Sequence, residues 1–86
     1  MKYVYLLKSI KFLDQKYIGI TSNVAQRLCE HNQGKCPHTS KYLPWKIETY
    51  ICFQNDSLAI KFEAYLKSGS GRAFAKKHFI SWESLQ

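Results

Sequence analysis

The chain has 86 residues, 45% of them hydrophobic and 15% aromatic, and 13 Lys and Arg against six Asp and Glu give a formal net charge of +7. This apolar content excludes a disordered chain, and no apolar run approaches the roughly 18 residues of a membrane span. The length predicts one domain over residues 1–86, and the charge favours nucleic acid as partner before a membrane surface. Three cysteines without a CxxC pair, and no signal peptide, predict free thiols in the cytoplasm.

Two short strands are predicted near the N-terminus. Residues 2–8 alternate in a strand pattern, and a polar hairpin connection leads to a second strand over residues 16–20. Tyr5 lies on one face of the first strand, and Tyr17 shares a face of the second with Gly19. A glycine within a strand usually marks a bulge or a close approach to the backbone.

A helix is predicted over residues 24–32. Asn23 has capping-box spacing before it, and Gly34 is typical of a residue that ends a helix. Because Arg27 and His31 are four residues apart, they are expected to project from the same side of this helix.

The second half of the chain predicts one strand and two helices. A loop over residues 33–43 precedes the longest strand, over residues 45–53, whose alternation runs from end to end. A helix over about 58–67 ends at the Gly/Ser run 68–71, and a third helix covers about 72–79. The order β-β-α-β-α-α predicts an α+β fold with a three-stranded, mainly antiparallel sheet flanked by three helices.

Four metal-ligating side chains, Cys29, His31, Cys36 and His38, suggest a zinc site. Two residues apart on a helix, Cys29 and His31 point to nearly opposite sides, so they cannot share a tetrahedral site unless the helix unwinds. The sequence therefore favours Cys29 as a core residue and Cys36 as an exposed loop thiol.

Each candidate functional residue has an ordinary explanation when it is taken alone. Glu63 falls on the inward face of its helix with Ala59, where a carboxylate is costly unless it pairs with a lysine or binds a cation. Arg27 suits a phosphate through its planar guanidinium, but it also suits a solvated helix face. Tyr5 and Tyr17 would ordinarily be half-buried strand aromatics. Only their combination suggests hydrolysis of a phosphodiester.

In combination, the motifs resemble those of the GIY-YIG nuclease domain family, most of all its short stand-alone bacterial branch. The resemblance covers nearly the whole chain and rests on Tyr3-Val4-Tyr5, Tyr17-Ile18-Gly19, Arg27, His31-Asn32, Gly34 and Glu63 in this order. It implies a three-stranded antiparallel sheet with flanking helices and a metal-dependent endonuclease that hydrolyses DNA, in DNA repair or recombination.

The resemblance also implies a role for each site residue. Tyr17 would be the general base or would orient the attacking water, and Tyr5 would be the tyrosine of the first motif. Arg27 would neutralise the scissile phosphate, and His31 would support the site. Glu63 would hold a single divalent cation, magnesium or manganese, which polarises the phosphate and stabilises the leaving oxygen.

DNA is the expected partner, together with a larger repair or DNA-targeting protein, in the nucleoid-associated cytoplasm. Gly19 would let the substrate approach the backbone. The residues expected to contact phosphates are Lys35, His38, Lys41, Arg72, Lys76 and Lys77. Tyr42, Trp45 and Phe74 are able to stack on bases if they are exposed.

The chain departs from the family pattern at three places. The first motif reads Tyr-Val-Tyr in place of Gly-Ile-Tyr. Ala75 stands where many family members have a polar residue, and Ile20 stands just after the second motif, where another family member has a lysine. The alternative is a non-catalytic nucleic-acid-binding or repair-complex interaction module with the same fold. Such a module has no reason to place Arg27 and Glu63 around two tyrosines, which favours the enzyme.

Overall fold

The computed structural model describes residues 1–80. Its elements are β1 (Lys2–Ser9), β2 (Lys16–Thr21), α1 (Val24–Asn32), a short 3-10 turn (Ser40–Tyr42), β3 (Trp45–Phe53), α2 (Asp56–Leu66) and α3 (Gly69–His78). The three strands form an antiparallel sheet in the order β2-β1-β3. The predicted α+β fold with element order β-β-α-β-α-α is therefore confirmed. The prediction of one domain over residues 1–86 extends to residues 81–86, which lie outside the described residues.

The central strand β1 is covered on both faces, and its alternation decides what each face packs against. Val4 and Leu6 belong to one core cluster with residues of α2 and α3, namely Ala59, Leu66 and Ala75. Tyr5 and Leu7 belong to another, which includes Val24 and Leu28 of α1 together with Trp45. Full burial of such a side chain stabilises the fold by about 1.5–3 kcal/mol. The sheet therefore lies between α1 on one side and α2 with α3 on the other.

A β-bulge divides β3 between the two faces of the sheet. Leu7 lies opposite Ile47, whereas Leu6 lies opposite Thr49, so Glu48 is the extra residue on β3. Residues that pair directly share a face, so the part of β3 with Ile47 faces α1 and the part with Thr49 faces α2 and α3. The predicted end-to-end alternation of this strand is wrong, because the bulge inverts the phase halfway along it.

Both ends of α1 follow from the local sequence. The side-chain oxygen of Asn23 accepts a hydrogen bond from the backbone N–H of Gln26 at 3.0 Å. The reciprocal half of a capping box is missing, because the Asn23 N–H donates to Thr21 Oγ1 instead, at 3.2 Å. At the other end Gly34 has a φ of +77°, which glycine adopts without a steric penalty. The predicted helix over residues 24–32 is confirmed.

The third helix begins earlier than predicted. Ser68 is its N-cap and accepts from the N–H of Gly71 at 3.2 Å, so most of the Gly/Ser run belongs to α3. Gly71 is buried against α2, and a Cβ at this position would collide with the backbone carbonyl of Tyr65. Gly71 thus lies within α3 and allows close packing between α2 and α3, and it does not end α2 as the sequence predicted.

The expected environments of two cysteines are wrong. Cys29 is exposed because the inward side of α1 carries Leu28 and His31 instead. Cys36 is buried, because the loop after α1 folds over the core and also buries Thr39. Among residues 1–80, no three His, Cys, Asp or Glu side chains gather as a metal site would require. No helix in that same range is long and apolar enough to cross a membrane.

Candidate active site

The hydroxyl of Tyr5 is the centre of a buried polar cluster on the α1 side of the sheet. Tyr5 lies on the central strand and is only 2% exposed. The one-turn spacing of Arg27 and His31 on α1 brings both side chains to it. Tyr5 Oη is 3.0 Å from His31 Nε2 and accepts a hydrogen bond from Arg27 Nε at 3.4 Å. The sheet and α1 together therefore assemble a phenol, an imidazole and a guanidinium.

The second strand adds Tyr17 and Gly19 to this cluster. The Tyr17 ring centroid is 4.9 Å from that of His31 and 6.3 Å from that of Tyr5. Gly19 pairs directly with Tyr5 across the two strands, and a Cβ at this position would collide with the Tyr5 hydroxyl. Gly19 was predicted to admit the substrate; its close neighbour in the structure is the phenol of Tyr5.

The sequence analysis missed a partner of Arg27, the carboxylate of Glu30. Arg27 Nη1 lies 2.9 Å from Glu30 Oε1, and both side chains are about one-third exposed, at 34% and 31%. The hydrogen bond to Glu30, followed by that to Tyr5, raises the pKa of Arg27, and the same bond to Arg27 lowers the pKa of Glu30. The three-residue spacing on a helix could have identified this pair. The pair holds a permanently charged guanidinium beside Tyr5.

His31 is fully buried, and both of its ring nitrogens are engaged. Nε2 meets Tyr5, and Nδ1 lies 2.8 Å from Thr39 Oγ1. Burial, and next the charge of Arg27, lower the pKa of His31, so the ring is neutral at physiological pH. Burial likewise raises the pKa of Tyr5, although the bond from Arg27 opposes it. No spacing in the sequence pointed to Thr39, because it reaches His31 from a loop.

Glu63 lies on α2, with its side chain 19% exposed and its Oε2 2.9 Å from the ammonium of Lys67. Among residues 1–80, the contact described for Glu63 is this ion pair with Lys67. Glu63 is therefore not part of the cluster around Tyr5. Lys67 in turn lines a cavity of about 230 Å³ together with Tyr17. The pair therefore lies at the edge of the sheet that also presents Tyr17.

A basic groove follows this edge of the sheet. The cavity beside Tyr17 and an adjoining cavity of about 410 Å³ share Lys16, Ile18 and Arg72. The larger cavity also includes Lys76 and one acidic residue, Asp14. We call these two cavities the β2 groove.

Three lysines at one end of the sheet add to this positive charge. Lys8 of β1 lies directly opposite Lys16 on one side and Lys46 on the other. Burial, and next the charge of Lys8, lower the pKa of Lys16. Like charges directly opposite on neighbouring strands repel one another. The carboxylates of Asp14 and Glu48 act on Lys16 in the opposite direction, so they offset part of this positive charge.

The predicted nucleic-acid contacts are divided by the fold. Arg72 and Lys76 line the β2 groove, and Lys16 and Lys67 are lining residues that the sequence analysis missed. The other predicted phosphate contacts are exposed but do not line these cavities; they are Lys35, His38, Lys41 and Lys77. Trp45 is only 3% exposed, so it does not meet the condition for stacking on a base.

The carboxylate of Glu63 fits a magnesium site and does not fit a structural zinc site. Within the described part of the chain, Glu63 is a lone carboxylate, without two further His, Cys, Asp or Glu side chains nearby. Structural zinc takes four protein ligands, whereas magnesium keeps several waters and takes one or two carboxylates together with substrate phosphates. A cation at Glu63 would have to displace the ammonium of Lys67 from the carboxylate.

Comparison with known families finds a match over most of the chain. The model of the GIY-YIG catalytic domain matches residues 1–78, a range that includes Tyr5, Tyr17, Arg27, His31 and Glu63. No curated protein matches the chain. The match leaves out only eight of the 86 residues, and the three-stranded antiparallel sheet is consistent with that fold. The chain therefore belongs to the GIY-YIG catalytic domain family, a family of nucleases.

Proposed function

We propose that the protein is an endonuclease that hydrolyses DNA phosphodiester bonds with the help of a divalent cation held by Glu63. The observation that carries the proposal is the Tyr5 hydroxyl, bonded at 3.0 Å to His31 Nε2 and at 3.4 Å to Arg27 Nε. A phenol, a neutral imidazole and a fixed guanidinium supply a proton acceptor and a phosphate ligand within one cluster. Membership of a nuclease family supports the same chemistry.

The basic β2 groove is proposed to hold the DNA backbone beside Tyr17. Lys16, Arg72 and Lys76 supply cations along it, and Tyr17 both lines the groove and packs against His31 of the cluster. Arg27, with about a third of its side chain exposed, would bind the scissile phosphate from the α1 side. Phosphate contacts of this kind position the strand without reading its sequence.

The proton of the attacking water is proposed to leave through Tyr5. As the phenol takes that proton, its own proton passes to His31 Nε2, whose ring is neutral because burial lowers the pKa of His31. Arg27 stabilises the negative charge on the phenol oxygen during the transfer. Tyr17, which is only partly buried, orients the water from the groove. Two tyrosines therefore divide the roles that the sequence analysis considered for Tyr17 alone.

A divalent cation would supply charge stabilisation that the protein side chains lack. When bound by Glu63, magnesium or manganese would polarise the phosphate and stabilise the leaving oxygen. The cellular role in this proposal is cleavage of DNA intermediates in repair or recombination, with a larger protein delivering the substrate.

Cleavage assays test the proposal directly. Labelled single-stranded, duplex, flapped and branched DNA, with RNA of matched sequence, are incubated with the protein in magnesium, manganese or a chelator. We expect cleavage of at least one DNA structure in the presence of a cation and none in the chelator. Binding without cleavage of every substrate would contradict the proposal and would favour the non-catalytic binding module.

A further inference from the structure

The loop between α1 and β3 places Thr39 against His31. Thr39 is 1% exposed, and its Oγ1 lies 2.8 Å from His31 Nδ1 and 3.4 Å from the carbonyl oxygen of Cys36. The indole N–H of Trp45 donates to the carbonyl oxygen of Thr39 at 2.9 Å. Asn32, the last residue of α1, bonds both the N–H and the carbonyl of Trp45, at 2.7 and 3.0 Å. The backbone of Thr39 is thus held by Trp45 of β3, and Trp45 is held in turn by Asn32 of α1.

The hydrogen bonds around Tyr5 can all be satisfied with only one tautomer of His31. If Nδ1 carries the proton, Arg27 donates to Tyr5, Tyr5 to Nε2, Nδ1–H to Thr39, and Thr39 to the Cys36 carbonyl. Every hydrogen-bond donor in this series from Arg27 to Thr39 then has an acceptor.

The other tautomer leaves one buried donor unused. If Nε2 carries the proton, the Tyr5 oxygen accepts from both His31 and Arg27. The phenol's own proton then has no acceptor among its contacts in residues 1–80. A buried hydroxyl that cannot donate is unfavourable. Burial also raises the pKa of Tyr5, which opposes loss of that proton in the resting protein.

We propose that Thr39 is a positioning residue that fixes His31 in the Nδ1–H tautomer, so that Nε2 is free to accept the proton of Tyr5. The catalytic consequence rests on the proposed function, whereas the tautomer itself does not. Without the Thr39 oxygen, Nδ1–H loses its acceptor and the opposite tautomer becomes competitive.

Nitrogen NMR of the full chain with ¹⁵N-labelled histidine distinguishes the two tautomers, since a protonated and an unprotonated ring nitrogen have well-separated shifts. We expect Nδ1 protonated and Nε2 unprotonated for His31 in the wild type and in Thr39→Ser, with a mixture or the opposite tautomer in Thr39→Val. Ser40→Ala is the matched control, because the Ser40 hydroxyl bonds the Pro37 carbonyl in the same loop. An Nε2–H tautomer in the wild type would overturn the proposal.

The same variants test the catalytic consequence. In Thr39→Val we expect kcat to fall about tenfold or more with KM nearly unchanged and an altered acidic limb of the pH–rate profile, while Thr39→Ser and Ser40→Ala retain wild-type kinetics. A changed tautomer with unchanged kcat would refute the positioning role.

If Thr39→Val does not fold, the tautomer of the wild type and of Thr39→Ser still decides the proposal. If the wild type cleaves nothing, the proposed function fails, whereas the NMR result still tests the tautomer.

Discussion

At Tyr5, burial and hydrogen bonding act on the phenol in opposite directions. Burial raises the pKa of Tyr5, while the hydrogen bond from Arg27 favours the phenolate. A buried phenol would be a poor proton acceptor if its own proton had to reach bulk water. The imidazole of His31, 3.0 Å away, removes this difficulty because the proton moves along an existing hydrogen bond.

We expect Tyr5→Phe to lower kcat by about 10²–10⁴, the contribution typical of a positioned general acid or base. Only one hydroxyl is lost, so circular dichroism should report a folded protein. Tyr50→Phe is the matched control, because Tyr50 pairs with Tyr5 across the sheet but is 55% exposed. Equal kcat values for the two variants, measured on the same DNA, would contradict the role of Tyr5.

Stability should depend on pH through His31. Burial lowers the pKa of folded His31, so the unfolded chain, whose histidine pKa is about 6.5, holds more protons in the window between the two values. The free energy of unfolding should therefore fall as pH falls below about 6.5, and stay constant above it as far as His31 is concerned. Urea titrations of the wild type and of His31→Gln measure this, and an identical pH dependence in the two proteins would contradict the assignment.

Among the elements, α1 and β3 differ in how far the sequence predicted them. The bounds of α1 follow from Asn23 and Gly34, and the shared side of Arg27 and His31 follows from helical spacing. In β3, nothing local indicates the bulge at Glu48, because its position depends on the pairing with β1. Local signals are read from neighbouring residues, whereas a register shift is decided by tertiary packing.

The same distinction applies to the candidate site. The shared side of Arg27 and His31 could be predicted from helical spacing, and the face that Tyr17 shares with Gly19 from strand alternation. Glu63 was expected in the same site but pairs with Lys67 instead. Thr39 could not be predicted, since the loop that brings it to His31 has no periodic pattern. The expectation that Cys36 is exposed failed for the same reason, because the loop folds back over the core.

The contact between α2 and α3 makes two neighbouring glycines unequal. A Cβ at Gly71 would collide with the backbone of Tyr65 and Leu66, which cannot move aside, whereas a Cβ at Gly69 meets nothing within 4 Å. Gly71→Ala should therefore destabilise the protein by about 1–3 kcal/mol or more. Gly69→Ala should be neutral or stabilising by up to about 1 kcal/mol, because alanine favours a helix. Denaturant unfolding measures both, and similar free energies of unfolding for the two variants would contradict this packing.

Over the whole molecule, the surplus of positive charge is organised by the β2 groove. The sheet brings Lys16 to the groove and α3 brings Arg72 and Lys76, so residues distant in sequence act on the same region. A domain of this size has little surface for reading bases, so most of its affinity for DNA should come from phosphates. The net charge of +7 could be read from the sequence, whereas the grouping of these cations depends on the fold.

DNA affinity should therefore fall steeply with salt, with a log–log slope of about −0.9 for each phosphate contact on duplex DNA. Arg72→Gln should weaken binding and make this slope less steep by roughly one contact. Lys77→Gln is the matched control, because Lys77 is an exposed cation of the same helix that does not line the groove. Fluorescence anisotropy over a salt series measures both variants. Equal effects of the two substitutions would exclude the groove as the principal phosphate site.

The central claim is that this fold cleaves DNA with a cation held by Glu63, and parallel measurements of cleavage and binding by Glu63→Gln test it most directly. The substitution removes the carboxylate charge and releases Lys67 from its ion pair at 2.9 Å, so the β2 groove becomes more positive. We predict that magnesium-dependent cleavage is lost while DNA is bound at least as tightly as by the wild type. Cleavage that persists in Glu63→Gln, or binding that is lost together with cleavage, would contradict the account.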